Sequence, residues 1–170
     1  GMLDALDELH STGYAHGSLS PNKVLLVDGQ KPGSVVITDP FQHRLYEVAD
    51  PIKTSRSDPD RFLGLPAYFS PEQAKGQQPD IAADLYVVGL ILYQMLTGKT
   101  PFDASQPSTI LKRQIYERPL PLKLASPGLQ VPADLENIIA TVLAKDPSER
   151  FESARAFRRA IDNLRESVET

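Results

Sequence analysis

Apolar positions keep helical spacing at both ends of this chain, and two short β-rich runs and a long polar stretch separate those ends. Leu3, Leu6 and Leu9 recur at helical spacing and stop at Ser11-Thr12-Gly13. Two short β-rich runs follow, residues 23–27 and 34–38, with Asp28-Gly29 and Pro32-Gly33 between them as a turn. Residues 40–66 are polar, broken by prolines and without period, which predicts a long loop of the functional or mobile kind. From about Asp80 the pattern is helical. Residues 85–96 are apolar on nearly every face, as a helix through the middle of a domain must be. Leu135, Ile138, Ile139, Val142 and Leu143 keep helical spacing with Pro132 near the start. Ala156, Phe157, Ala160, Ile161 and Leu164 repeat it behind a cap at Ser153. The pattern predicts one mainly α domain over residues 1–170, with one small β-hairpin and one long loop.

Composition narrows the function without naming it. The 170 residues are 41% hydrophobic and 24% charged, with a net charge of −4. That mild acidity argues against a general nucleic-acid or anionic-membrane binder, which needs a basic surface. There are no cysteines, so thiolate catalysis, disulfides and cysteine zinc sites are excluded, and a cytoplasmic location is expected. The most apolar stretch, residues 85–96, is too short to span a bilayer. Gly1 ahead of Met2 reads as a scar of tag removal.

Five segments carry candidate chemistry, in chain order. Residues 16–23 read H-G-S-L-S-P-N-K and residues 35–41 read V-V-I-T-D-P-F. Residues 64–73 read G-L-P-A-Y-F-S-P-E-Q, and residues 84–102 run from D-L-Y-V-V-G to T-G-K-T-P-F. Residues 143–151 read L-A-K-D-P-S-E-R-F. Taken together over residues 2–165, they resemble the large C-terminal lobe of eukaryotic-type serine/threonine protein kinases, the bacterial members above all. The resemblance implies that fold, with residues 40–66 as an activation-segment-like loop. It also implies structural roles for His16, Asp84 and the pair Glu72 and Arg150. His16 would pack the catalytic loop, and Asp84 would accept that loop's backbone N–H groups. Glu72 and Arg150 would form a buried ion pair, for which the planar guanidinium fork is suited.

Departures from the family fall on its chemistry. In the family's catalytic loop an Asp accepts the substrate hydroxyl proton, a Lys steadies the transferring phosphoryl group and an Asn holds a magnesium ion. Those places hold Ser18, Ser20 and Lys23. Leu65 stands where a Thr would bond both the Asp and the Lys, and Gly17 replaces an Arg that would pair with a phosphate on the long loop. Pro40-Phe41 follows Asp39 in place of F-G. Asp39 alone keeps a metal-binding identity, and the expectation is vestigial ATP or Mg²⁺ binding at most, with no cofactor. There is no G-x-G-x-x-G and no strand of the V-A-I-K kind, and Met2 falls partway along the helix before the catalytic loop. The expectation is therefore a lobe without its small N-terminal partner, acting as a binding or regulatory module. The alternative is a fragment of a working serine/threonine kinase whose N-lobe lies outside this chain.

Three surface features complete the expectations. Met2, Leu3, Leu6 and Phe41 would form an apolar patch on the face an N-lobe covers, taken up by a homodimer or a protein partner. Arg155, Arg158 and Arg159 lie on one helical face, which reads as solvated given Asp162 and Glu166 nearby. Thr54, Ser55 and Ser57 beside Lys53 and Arg56 have the look of loop phosphosites, but with Gly17 in place no switch is expected.

Overall fold

The structure, a computed structural model, describes residues 1–27, 34–41 and 65–169. The expected turn at Asp28-Gly29 and Pro32-Gly33, most of the long loop and its Thr54, Ser55 and Ser57 lie outside the described residues. Helix α1 spans Met2–Ser11, and the strands β1 (Val24–Leu26) and β2 (Val35–Ile37) form a two-stranded antiparallel sheet. Among the described residues the remaining elements are all helical: α2 (Pro71–Ala74), α3 (Ile81–Thr97), α4 (Pro107–Tyr116), α5 (Leu122–Ala125), α6 (Ala133–Val142) and α7 (Ala154–Glu169). This mainly α architecture with one small sheet is that of a kinase C-lobe.

Helix α3 is the axis of the domain. The Asp80 carboxylate caps its start by accepting from the Ala83 N–H at 3.0 Å. It ends at Gly98, whose φ of 76° lets its N–H turn back to the Gln94 carbonyl. Between these ends Leu85, Tyr86, Leu90 and Tyr93 are buried on different sides, so the helix is enclosed by its neighbours. Helix α6 crosses it at Gly89, where a Cβ would lie 2.5 Å from Val142 Cγ1. The missing side chain permits that approach. Helix α7 starts where Ser153 Oγ accepts from the Ala156 N–H at 3.1 Å, and Phe157 stacks on Phe151 with centroids 4.9 Å apart.

Helix α1 lies against α7 and β2. That placement corrects the expected apolar patch. Leu6 is fully buried, and Met2 and Leu3 are partly buried against the core, because helical spacing aims them inward. The apolar side chains left in solvent are elsewhere: Tyr14, and Leu25, Leu26 and Val36 of the sheet, with Leu26 78% exposed. In the sheet Val24 pairs with Ile37 and packs on the core, whereas Leu25 pairs with Val36 on the opposite face. The arginine face is solvated, with the Arg155, Arg158 and Arg159 side chains all more than half exposed. Arg155 pairs with Asp7 at 2.9 Å and Arg158 pairs with Asp4, both across to α1.

Candidate functional site

The site is built on the turn between α1 and β1, and α3 supplies its anchor. Asp84 sits in the first turn of α3, almost wholly buried, with its carboxylate aimed at that turn. It accepts the His16 N–H at 2.7 Å, the Gly17 N–H at 2.9 Å, and a contact from His10 Nε2 at 2.9 Å. Gly17 has a φ of 73°, a left-handed conformation that glycine adopts without side-chain strain. Gln73 of α2 holds the same turn from the other side, donating from Nε2 to the Gly17 carbonyl at 2.9 Å.

His16 joins this turn to the end of β2. Its Nε2–H donates to the Thr38 carbonyl at 2.9 Å, and its Nδ1 accepts from the Ser18 N–H at 3.3 Å. Only the neutral imidazole satisfies both contacts. Burial pushes His16 below its usual value in the same direction, against the pull of Thr38 and Asp84. The Phe41 N–H donates to the His16 carbonyl at 3.1 Å, and the Thr38 N–H to the Lys23 carbonyl at 2.9 Å. These bonds set Asp39 opposite Ser18 and Lys23.

Ser18, Lys23 and Asp39 thereby share one mouth. Lys23 Nζ donates to Ser18 Oγ at 2.8 Å, and Ser18 Oγ lies 3.5 Å from the Asp39 carbonyl oxygen. Partial burial pushes the Lys23 ammonium down from its usual value, while the charge of Asp39 opposes the shift. Ser20 is not part of the mouth's surface; it is buried. Leu65 is exposed, and its side chain offers no hydrogen bond. Asp39 and Phe41 both take positive φ, 56° and 66°, on either side of Pro40. Left-handed backbone is uncommon for a bulky residue such as Phe. Phe41 sits edge-on to Tyr14 with ring centroids 5.5 Å apart.

Glu72 and Arg150 meet below the site. Arg150 Nη1 donates to Glu72 Oε1 at 2.8 Å and Nη2 to Oε2 at 2.9 Å. Its other N–H groups reach the carbonyls of Ala82, Ala144 and Lys145, so all five donors of the fork are used. Burial alone would raise the Glu72 carboxyl, but the bonds and charge of Arg150 outweigh it and hold the group below its usual value. The guanidinium also lies 4.7 Å from the Tyr86 ring centroid.

Two contributors were not singled out from sequence. Gln73 and Ser70 form a capping box, with the Gln73 N–H on Ser70 Oγ at 3.3 Å and Gln73 Oε1 on the Ser70 N–H at 3.1 Å. The S-x-x-Q spacing was the available signal. Nothing in the pattern marked His10, whose role depends on α1 and α3 meeting in space.

Comparison with known proteins agrees with this geometry. The protein kinase domain family matches residues 1–160. The serine/threonine-protein kinase pkn3 of Myxococcus xanthus is 31% identical over 99% of this chain and 31% of its own length. The serine/threonine-protein kinase PksC of Streptomyces coelicolor is 34% identical over 92% of this chain and 27% of its own length. Pkn1 of Myxococcus xanthus, also a serine/threonine-protein kinase, is 34% identical over 94% of this chain and 22% of its own length. The chain thus spans less than a third of the length of these curated relatives. It belongs to the protein kinase family and is similar to bacterial serine/threonine kinases.

Proposed function

We propose that this chain is a pseudokinase module, a kinase C-lobe that works by binding and does not transfer phosphate. One observation carries the reading: the Lys23 ammonium, bonded to Ser18 Oγ at 2.8 Å, shares the mouth with Asp39. Magnesium wants near-octahedral oxygen ligands, and in kinases carboxylate and amide oxygens supply part of them. Here Asp39 has an ammonium for a neighbour, which repels a divalent cation, so this donor set does not fit Mg²⁺. Ser18 adds a hydroxyl, a poor base near neutral pH, whose oxygen already accepts a bond from Lys23. Ser20 leaves the phosphate-steadying position without a charge, and Leu65 offers no hydrogen bond in place of the Thr.

The retained architecture serves the same reading. The Glu72–Arg150 pair and the Asp84 anchor hold the shape of the lobe, and shape is what a binding module needs. Leu25 and Val36 are about half exposed, on the face of the sheet turned away from the core, with Tyr14 and Leu26 also in solvent. Apolar surface of this kind favours self-association through a second copy, or a protein partner in its place. A cytoplasmic setting fits a chain without cysteines, and no helix among the described residues is long and apolar enough to cross a membrane.

The names of the relatives favour a second reading, a piece of an ATP-dependent serine/threonine kinase. Transfer of γ-phosphate to a generic protein substrate with Mg²⁺ or Mn²⁺ separates the two. The proposal expects none. Turnover abolished by Asp39→Ala would overturn it, whereas turnover that survives that change marks a contaminant. For the binding face, light scattering at micromolar concentration should show an assembly larger than a monomer that Val36→Glu reduces. A monomer unchanged by Val36→Glu, with no partner needing that face, would count against it.

A further inference from the structure

Away from the mouth, a chain of polar groups runs from half-buried Lys145 through buried Tyr86 and Gln114 to the short 3₁₀ turn Pro66–Tyr68. Gln114 of α4 is fully buried, and its Nε2 donates to the Ala67 carbonyl at 3.0 Å. Its Oε1 accepts from the Tyr86 hydroxyl at 2.9 Å. That hydroxyl in turn accepts from Lys145 Nζ at 2.9 Å. Lys145 Nζ also donates to the Gln114 backbone carbonyl at 2.7 Å and lies 4.2 Å from the Phe102 ring centroid. Helices α3 and α4 thus meet at one amine, and Gln114 carries the chain on to the Pro66–Tyr68 turn.

We propose that Lys145 is a proton-controlled latch that holds the Pro66–Tyr68 turn to α4 when its amine is charged and loosens it when the amine is neutral. Donor and acceptor counting gives the mechanism. An ammonium can only donate, so the Tyr86 oxygen must accept from it, and the single Tyr86 hydrogen must turn to Gln114 Oε1. The Gln114 amide is then oriented with its NH₂ toward Ala67, and the whole chain has one proton order. A neutral amine has a lone pair, and the Tyr86 hydrogen can turn to that lone pair instead. Gln114 Oε1 then loses this donor while buried, which is costly, and the amide no longer favours the orientation that grips Ala67.

The surroundings put the exchange of this proton in the neutral range. Burial, and then the charge of Arg150, push Lys145 down to about 7, while Glu117 at the end of α4 and Glu72 of α2 pull it up. Tyr86 does not compete for the charge, because burial pushes its hydroxyl well above the usual value. The turn that responds lies in the segment resembling the substrate-facing loop of kinases. Its position governs what that face of the lobe presents, whether or not the chain transfers phosphate.

Nuclear magnetic resonance on the labelled full chain tests the latch. Backbone amide signals of Ala67 and Tyr68 and the side-chain Cε of Lys145 are followed from about pH 6 to about pH 9. The expected result is a shared midpoint near 7 for the side chain and both amides. In Tyr86→Phe the Lys145 side chain should still titrate while the Ala67 and Tyr68 response is lost. In Lys145→Met that response should be lost outright. Amide shifts that persist in Tyr86→Phe, or a Lys145 that titrates without moving Ala67, would overturn the proposal. So would an amine that stays charged across the whole range. Should Lys145→Met fail to fold, the wild-type and Tyr86→Phe profiles decide between these outcomes.

Discussion

Lys23 and Ser18 meet across the turn between α1 and β1, the ammonium donating to the hydroxyl at 2.8 Å, and Asp39 faces the same point. A positive charge held there repels any divalent cation that Asp39 could attract. Replacing it with the amide of Lys23→Asn removes the repulsion and adds an oxygen donor. Paramagnetic broadening of the Thr38 and Asp39 signals by Mn²⁺ should therefore be stronger in Lys23→Asn than in the unchanged chain. Equal broadening in both would mean that the ammonium does not decide metal access.

The Glu72–Arg150 pair is the second place where charge matters, and here it is buried. Arg150→Ala strands the Glu72 carboxylate and frees three backbone carbonyls from their donors. The expected loss of stability is about 3–5 kcal/mol. Arg158→Ala breaks exposed pairs with Asp4 and Asp162 and should cost no more than about 1 kcal/mol. Urea midpoints of the two variants measure the contrast. Similar shifts would show that the buried pair contributes no more than a surface one.

Gly89 tests the packing of α3 against α6. One added methyl would meet Val142 Cγ1 at 2.5 Å and Leu143 Cδ2 at 3.0 Å, so the two helices must separate or repack. Alanine favours helix by roughly 1 kcal/mol over glycine, yet overpacking costs roughly 1–3 kcal/mol. We expect Gly89→Ala to be net destabilising in thermal or urea unfolding. A variant more stable than the parent would show that the crossing has slack.

Acid should weaken the fold through His16. Burial holds its folded-state value below the usual 6.5, so the unfolded chain takes up a proton first as the pH falls. The contribution is complete above 6.5 and is lost as the pH drops from there through the lower folded value. His16→Gln keeps a donor toward Thr38 and cannot titrate. The difference between the two urea-midpoint profiles should be flat above that window and narrow within it. Parallel profiles would remove His16 as the cause.

Much of this architecture was legible along the chain. The all-round apolar run of residues 85–96 could only be an enclosed helix, and α3 is one. The β-rich runs at β1 and β2 and the helical spacing behind Ser153 were equally local, because each depends on neighbours a few residues away. The order of the five kinase-like segments gave the fold and the identities of Ser18, Lys23 and Asp39.

Tertiary structure decided what those side chains face. Leu6 looked available to a partner, yet α7 and β2 close over its side of α1 and leave Leu25 and Val36 outside instead. Arg155 and Arg158 read as solvated and are, but only packing against α1 brings Asp7 and Asp4 to them. Lys145, Tyr86, Gln114 and Ala67 are up to 78 positions apart in a chain of 170, so no local pattern joins them. Periodicity reports which face of an element is buried, because that follows from its own geometry. Which group comes within hydrogen-bonding distance of that face depends on how separate elements pack, and only the folded chain brings those groups together.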